Sequence, residues 1–186
     1  MRRSFLILHG YAGSGADHWQ TWLARRLRDA GETVAYPDLP APDAPELPAW
    51  RDALERTLED GATVVAHSLA CLLWLHACPA AGARAARVLL VAPPSRAGAP
   101  PVLHPWFPAP LDPAALGPGT RLVCAANDPY CPEGAARLYG APLGIPVDEL
   151  PGAGHVNPES GYGPWPAVEA WCYGASAIAS SRIAPG

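Results

Sequence analysis

Two kinds of apolar pattern alternate along the chain. Short continuous runs of Leu, Ile and Val are typical of strands covered on both faces, and each is followed by a segment with apolar residues at helical spacing. This alternation predicts an α/β fold, with about six mostly parallel strands and with helices on both faces of the sheet. The predicted strands span residues 5–9, 33–36, 62–66, 87–92, 121–125 and 147–150. The predicted helices span residues 17–30, 47–60, 69–77, 133–139 and 165–173.

Residues at the ends of these helices agree with the pattern. Asp17 carries a side-chain oxygen that can cap the first helix, and Gly31 suits the position just after its end. Pro166 suits the first turn of the last helix because its missing N–H has no acceptor there anyway. We therefore expect the first helix to begin at Asp17 and the last to begin at about Trp165.

Two segments lack a regular pattern. Residues 93–118 are rich in proline and contain Trp106 and Phe107; we expect them to be mostly irregular, with one short helix near residues 113–116. Residues 174–186 are small and polar, which predicts a loose C-terminal tail. A chain of 186 residues is long enough to bury a sizeable core, so we assign residues 1–173 to a single domain.

Charge and hydropathy restrict the partners. The chain has 13 basic and 17 acidic residues, a net charge of −4, and no basic stripe that would favour nucleic acid. The apolar run after Arg3 stops at His9, too short for a signal peptide. No stretch approaches the roughly 20 apolar residues of a membrane-spanning helix. We expect a cytoplasmic protein with no nucleic-acid or membrane partner; its oligomeric state is left open.

Cysteine spacing favours neither disulfides nor a metal site. The number of cysteines is odd and no C-x-x-C pair occurs, so we expect buried apolar side chains. Metal ligands would have to cluster at short spacing, and we therefore predict no metal and no cofactor. The cysteines are Cys71, Cys78, Cys124, Cys131 and Cys172.

Ser68 lies where a β-branched strand pattern changes directly into a helical one. This is the sequence form of a nucleophile elbow, which places a serine hydroxyl above the edge of the sheet. The bend tolerates only small side chains two residues before and two after the serine. Here those are Ala66 and Ala70, where the common pattern has glycines. Taken alone, a serine at this point could equally be a helix cap.

Asp128 and His155 each follow a later predicted strand. Ligands of parallel α/β sheets bind beyond the carboxyl ends of the strands, and the order Ser, Asp, His is the one used by α/β-hydrolases. By itself, Asp128 could be a turn residue before proline, and His155 an ordinary loop residue. Together they predict a triad in which Ser68 is the nucleophile, His155 the base and Asp128 the residue that orients the base.

Two other acidic residues could compete for the orienting role. Asp38 follows the second predicted strand, on the far side from His155, and Asp148 falls inside the sixth. We favour Asp128 over both.

The glycine-rich loop after the first strand has two interpretations. A phosphate cradle would need the Walker lysine or the G-x-G-x-x-G spacing, and the loop has neither. An oxyanion hole fits better, with the backbone N–H groups of Tyr11 and Leu69 facing the developing oxyanion. We expect the apolar residues Trp106 and Phe107 to line the acyl pocket.

The remaining polar residues near these motifs are assigned structural roles. His67 adjoins the nucleophile, but strand alternation points it to the other side of the bend. His18 is expected to be packed or solvated in the first helix. Asn157 and Glu159 are interpreted as hydrogen-bond partners that fix the loop after His155.

Five segments resemble the small serine hydrolases of the α/β-hydrolase superfamily, the group related to retinoblastoma-binding protein 9 and its bacterial homologues. The resemblance covers about residues 5–173, and the motif G-H-x-N-x-E-S-G-x-G-x-W-P is its most specific part. The segments are His9–Tyr11, Asp17–Trp22, Ala66–Ala70, Asn127–Cys131 and Gly154–Pro166. Members of the group usually have glycine at the two elbow positions that are alanine here.

This resemblance implies a compact α/β-hydrolase that lacks the first two strands of the larger enzymes and has a minimal lid or none. It also implies the same roles for Ser68, Asp128 and His155. We expect a serine hydrolase that cleaves a small or medium acyl ester, a small-molecule substrate, through a covalent acyl-enzyme. The alternatives are a thioesterase or acyltransferase with the same triad, and a non-catalytic binding protein that keeps the fold.

Overall fold

Six strands form one sheet in the computed structural model, which describes residues 2–178 without the side chains of residues 78 and 79. The strands are Ser4–Leu8 (β1), Thr33–Ala35 (β2), Thr63–His67 (β3), Arg87–Val91 (β4), Thr120–Cys124 (β5) and Val147–Glu149 (β6). They lie in the order β2-β1-β3-β4-β5-β6, and every neighbouring pair is parallel. The predicted α/β fold is confirmed, and all six strands fall within a residue or two of their predicted positions.

Helices cover both faces of this sheet. They are Trp19–Asp29 (α1), Leu47–Thr57 (α2), Leu69–Ala81 (α3), Ala141–Leu143 (α4) and Pro166–Cys172 (α5). Successive side chains of a strand point to opposite faces, so β1 contributes to two apolar cores. Leu6 and Leu8 pack in one core with α2 and α3, whereas Phe5 and Ile7 pack in the other with α1 and α5.

The capping predictions for the first helix are half right. Asp17 is not the cap, because α1 begins at Trp19 and the residue just before it, His18, holds the extended cap conformation. The His18 Nδ1 accepts the N–H of Gln20 at 3.2 Å. Gly31 follows the helix with φ of +82°, as predicted for a glycine that ends a helix.

Three other predicted helices differ in extent. The helix predicted over residues 69–77 continues to Ala81. The helix predicted over residues 47–60 ends at Thr57, whose hydroxyl donates to the carbonyl of Ala53 at 2.8 Å. Such a bond competes with continuation of the helix. The helix predicted over residues 133–139 begins at Ala136 as a wide π-turn, Ala136–Gly140, which runs into α4.

The proline-rich segment 93–118 runs from the end of β4 back to the start of β5. It contains two short 3₁₀ helices, Pro101–Trp106 and Pro113–Ala115; the second is the short helix expected near residues 113–116, and the first was not expected. Trp106 anchors the segment, since its ring lies 5.3 Å from that of Trp50 and its Nε1 donates to the carbonyl of Pro45 at 3.2 Å.

The first residues after α5 contact the domain. The carbonyl of Ala175 accepts a hydrogen bond from Arg87, and the N–H of Ile178 donates to Asp148 at 2.8 Å. Residues 179–186 of the predicted tail lie outside the described residues. Among residues 2–178, no helix is long and apolar enough to cross a lipid bilayer.

The cysteines that can be described are buried thiols. Cys71, Cys124, Cys131 and Cys172 are free of disulfides, as their spacing predicts. The side chain of Cys78 lies outside the described part of the chain.

Candidate active site

Ser68 occupies a one-residue bend between the central strand β3 and helix α3. Its φ is +55°, a left-handed conformation that costs a residue with a side chain about 1–3 kcal/mol and is concentrated at functional sites. Ala66 and Ala70 are both fully buried beside it. The strand-to-helix bend therefore forms with alanine at both positions, and the serine hydroxyl lies at the carboxyl edge of the sheet.

The structure brings Ser68, His155 and Asp128 together. The Nε2 atom of His155 lies 2.9 Å from the Ser68 Oγ, and its Nδ1 atom lies 2.9 Å and 3.0 Å from the two Asp128 oxygens. An ionised carboxylate can only accept, so Nδ1 carries the proton and Nε2 is free to accept the Ser68 hydroxyl. All three side chains are buried, which lowers the local dielectric and strengthens both hydrogen bonds.

Backbone donors and aromatic contact hold the acidic partner and the base in place. The N–H of Tyr130 donates to Asp128 Oδ1 at 2.9 Å. The Tyr130 ring lies 4.4 Å from that of His155 and is itself partly exposed, so it separates the imidazole from solvent. This position of Tyr130 was not predicted from the sequence, although Tyr130 lies in one of the motifs that carry the family resemblance.

Side chains also fix the loop that carries His155. The N–H of Gly154 donates to Asn127 Oδ1 at 3.0 Å, and the N–H of His155 donates to Ser160 Oγ at 3.2 Å. The Ser160 hydroxyl in turn donates to Asn157 Oδ1 at 2.9 Å. Asn157 thus has the loop-fixing position expected from the sequence.

Glu159 does not have the same position as Asn157. It is exposed, and no hydrogen bond to it is found among residues 2–178. The expectation that it fixes the loop is wrong, and Glu159 instead helps to line the cavity beside Ser68.

The loop after β1 lies against Ser68. A Cβ added to Gly10 would lie 2.7 Å from the Cβ of Ser68, so only glycine permits this approach. His9 fixes the backbone here, since its Nδ1 donates to the carbonyl of Gly10 at 2.8 Å and its Nε2 accepts the N–H of Leu39 at 2.9 Å. The next N–H along the chain, that of Tyr11, is therefore carried by backbone in contact with Ser68.

A cavity of about 390 Å³ opens beside the Ser68 hydroxyl. One wall is apolar, and the rest is formed by the loop after β1, His18, His67, Tyr130 and the loop that carries His155. The apolar wall comes from segment 93–118: Pro94, Ala99, Pro100 and Leu103.

Trp106 and Phe107 do not line this cavity, contrary to the prediction. Trp106 is 1% exposed and packs into the core against Trp50. Phe107 packs, partly buried, on the same core. The 3₁₀ turn at Pro101–Trp106 turns Leu103 toward the cavity and these aromatic rings away from it, and nothing in the local sequence signals that choice.

Two buried histidines surround the triad as neutral groups. Burial, followed by the nearby His155 and His9, lowers the pKa of His18 from 6.5 to about 4. Burial likewise holds the pKa of His67 well below its usual value. His67 donates from Nε2 to the carbonyl of His155 at 2.9 Å, and the two rings lie 5.0 Å apart. It also lines the cavity beside Ser68, so the prediction that it points to the other side of the bend is wrong.

The competing acidic residues are placed elsewhere. Asp148 forms an ion pair with Arg121 at 2.7 Å. Asp38 is exposed at the end of β2 and does not line the cavity beside Ser68. Neither can orient His155.

The lowered pKa of His18 predicts an acid-dependent loss of stability. In the unfolded chain, His18 is protonated below a pKa near 6.5. In the folded protein it is protonated only below about pH 4. Stability contributed by neutral His18 is therefore complete above pH 6.5 and is lost as the pH falls toward 4, by about 2 kcal/mol at pH 5.

The variant His18→Asn tests this, because asparagine still caps a helix but does not titrate. Urea unfolding at pH 7 and pH 5 should show a stability loss that is about 2 kcal/mol smaller in the variant than in the wild type. Equal losses in both proteins would contradict the assignment of His18 as a buried neutral group.

Comparison with known proteins identifies the family. A family model described as Serine hydrolase matches residues 5–173. The YdeN protein of Bacillus subtilis (strain 168), named as a hydrolase, is 38% identical over 74 residues, a match that spans 38% of this chain and 39% of the relative.

Solved structures show the same fold. The ydeN gene product of B. subtilis aligns with a TM-score of 0.78 over 92% of this chain and 97% of its own, at 22% identity. A YdeN-like protein of Pectobacterium atrosepticum, also named as a hydrolase, gives 0.74 over 91% and 88% at 22% identity. A variant of SOBER1 from Arabidopsis thaliana gives 0.56 over 93% and 98% at 14% identity. The family match over residues 5–173 places this chain in the serine hydrolase family, with an α/β-hydrolase fold.

Proposed function

We propose that the chain is a carboxylic-ester hydrolase that forms a covalent acyl-enzyme on Ser68. The observation that carries the proposal is the position of His155, within 3.0 Å of both Asp128 and the Ser68 hydroxyl. A serine hydroxyl is a weak nucleophile at neutral pH until a base can take its proton. Packing alone does not require a carboxyl group, an imidazole and a hydroxyl to be hydrogen-bonded in a row.

Each group then has a defined step. The Ser68 Oγ attacks the ester carbonyl while His155 Nε2 takes its proton, and His155 returns that proton to the departing alkoxide oxygen. Water, deprotonated by His155, attacks the acyl-enzyme, releases the acid and restores the serine hydroxyl. Asp128 holds the Nδ1 proton and stabilises the imidazolium that forms in both steps.

The developing oxyanion is proposed to bind between the N–H groups of Tyr11 and Leu69. Leu69 is the first residue of α3, so its N–H has no acceptor within the helix. Tyr11 follows Gly10, whose backbone contacts Ser68. A donor of this kind contributes about 3 kcal/mol to the transition state.

The cavity favours an uncharged substrate of small or medium size. Among the described residues, no lysine or arginine lines it, and its exposed charged group is the carboxylate of Glu159. Its apolar wall at Ala99 and Leu103 suits a short acyl or alkyl group. This charge balance favours simple esters over coenzyme A thioesters, because none of the described residues that line the cavity carries a cationic side chain for the phosphates.

The same triad also supports the alternatives. Thioester hydrolysis or acyl transfer would use the same acyl-enzyme and differ only in the leaving group or acceptor. A non-catalytic binding protein is less favoured, because the elbow forms with alanine at both positions and the Ser68 hydroxyl lies 2.9 Å from His155 Nε2.

Two finer assignments belong to the same proposal. Within the family, the motif around His155 supports a relation to the group of retinoblastoma-binding protein 9. The free thiols of the described cysteines support a reducing, cytoplasmic compartment.

Replacing the nucleophile should abolish turnover. We expect Ser68→Ala to lower kcat on short p-nitrophenyl esters by about 10⁴- to 10⁶-fold, while Ser176→Ala, at an exposed serine, leaves it unchanged. Initial rates across acetate, butyrate and hexanoate esters measure this. Undetectable hydrolysis of all three esters by the folded wild type would refute the ester-hydrolase proposal.

A matched pair of thioesters tests the charge preference. Butyryl-coenzyme A and butyryl-N-acetylcysteamine carry the same reacting bond, but only the first carries phosphates. Because no cation from the described residues lines the cavity, kcat/KM for the coenzyme A thioester should not exceed that for the uncharged one. A clear advantage for the coenzyme A thioester would favour the thioesterase alternative and contradict the preference for an uncharged substrate.

A further inference from the structure

Two consecutive carbonyl groups of the catalytic loop are held by buried side chains. The carbonyl of His155 accepts from His67 Nε2 at 2.9 Å, and the carbonyl of Val156 accepts from Trp19 Nε1 at 2.7 Å. His67 belongs to the strand that ends at the nucleophile, and Trp19 is the first residue of α1. Two separate elements thus fix the backbone at and just after the base.

The backbone they hold is strained. Val156 has a φ of +51°, and a left-handed conformation is a genuine outlier for a β-branched residue. Such conformations cost about 1–3 kcal/mol and persist only where the surroundings over-determine them. The N–H of Val156 also donates to the carbonyl of Ala153 at 3.0 Å, and its side chain is fully buried.

The side chains of Trp19 and His67, which donate these two hydrogen bonds, pack against each other. The rings of Trp19 and His67 lie 5.7 Å apart at 86°, edge to face. His67 lies in turn between His18 at 4.9 Å and His155 at 5.0 Å. Because a carbonyl can only accept, the Nε2 atom of His67 must carry the single proton of the neutral ring.

We propose that Trp19 and His67 are positioning residues, whose N–H groups hold the His155–Val156 backbone and thereby set the contact between His155 Nε2 and Ser68 Oγ. The inference rests on the proposed function, because it concerns the same proton transfer. Misplacement of a reacting group by about 1 Å can cost on the order of 100-fold in rate. Each of the two N–H groups donates to a backbone carbonyl of the His155 loop, so both residues act through the position of His155.

Trp165 supplies a matched control for the tryptophan. It is as fully buried as Trp19 and lies against it, with ring centroids 5.2 Å apart. Its Nε1 has no hydrogen-bond partner among the described residues. Trp19→Phe and Trp165→Phe therefore remove the same atoms from the same cluster, but only the first removes a hydrogen bond to the catalytic loop.

Two substitutions of His67 make a second matched pair. In His67→Gln the amide nitrogen can take the place of Nε2 and donate to the same carbonyl. In His67→Asn the amide is too short to reach it. If His67 acts by donation, glutamine should restore activity and asparagine should not.

The experiment measures kcat and KM on a p-nitrophenyl ester, with the melting temperature of each variant recorded and assays run where it is folded. We expect Trp19→Phe and His67→Asn to lower kcat by about 10- to 100-fold with little change in KM. Trp165→Phe and His67→Gln should stay within about fivefold of the wild type.

Equal kcat losses in Trp19→Phe and Trp165→Phe would overturn the proposal, as would equal losses in the two His67 variants. If His67→Asn does not fold, the tryptophan pair decides alone. An inactive wild type would instead refute the proposed function, so the two failures are distinguishable.

Discussion

The bend at Ser68 is the constraint on which the site depends. The chain passes from the middle strand of the sheet into α3 at one residue, with φ of +55°. Rigid elements on both sides hold this strained conformation, since β3 is paired on both edges and the start of α3 is buried. The bend also requires the backbone at Gly10 to pass within contact distance of the serine, which fixes where the loop after β1 can run.

The two histidines nearest to His155 carry no charge at physiological pH. Burial lowers the pKa of His18 and of His67, so these two imidazoles remain neutral at physiological pH. The buried carboxyl group of Asp128 faces His155, with its two oxygens 3.0 Å and 2.9 Å from Nδ1. The neutral histidines contribute directed hydrogen bonds without adding a competing positive charge.

The sequence predicted the features that repeat locally or follow from chain order. Alternating apolar patterns indicated the six strands, and the positions of Ser68, Asp128 and His155 after successive strands predicted that they meet at one edge. The site geometry agrees with that expectation, while the chemistry assigned to the three residues stays a proposal.

Features decided by tertiary contact could not be predicted in this way. The proline-rich segment has no periodicity that tells which of its apolar residues turn inward, so Trp106 and Phe107 were assigned to the cavity that Leu103 lines. The left-handed conformation of Val156 is one such feature. Another is the hydrogen bond from Trp19 to the Val156 carbonyl, which joins residues 137 positions apart. Neither residue type signals such a contact, because valine rarely adopts this conformation and tryptophan is usually a core residue.

The central claim, that Ser68 is activated by His155, is tested most directly by covalent labelling. Purified protein would be treated with a fluorophosphonate at pH 8, digested, and mapped by mass spectrometry. We expect a single adduct on Ser68 that disappears in His155→Ala, with the variant still folded. A folded wild type that takes up no adduct, or an adduct on Ser68 that forms equally fast without His155, would contradict it.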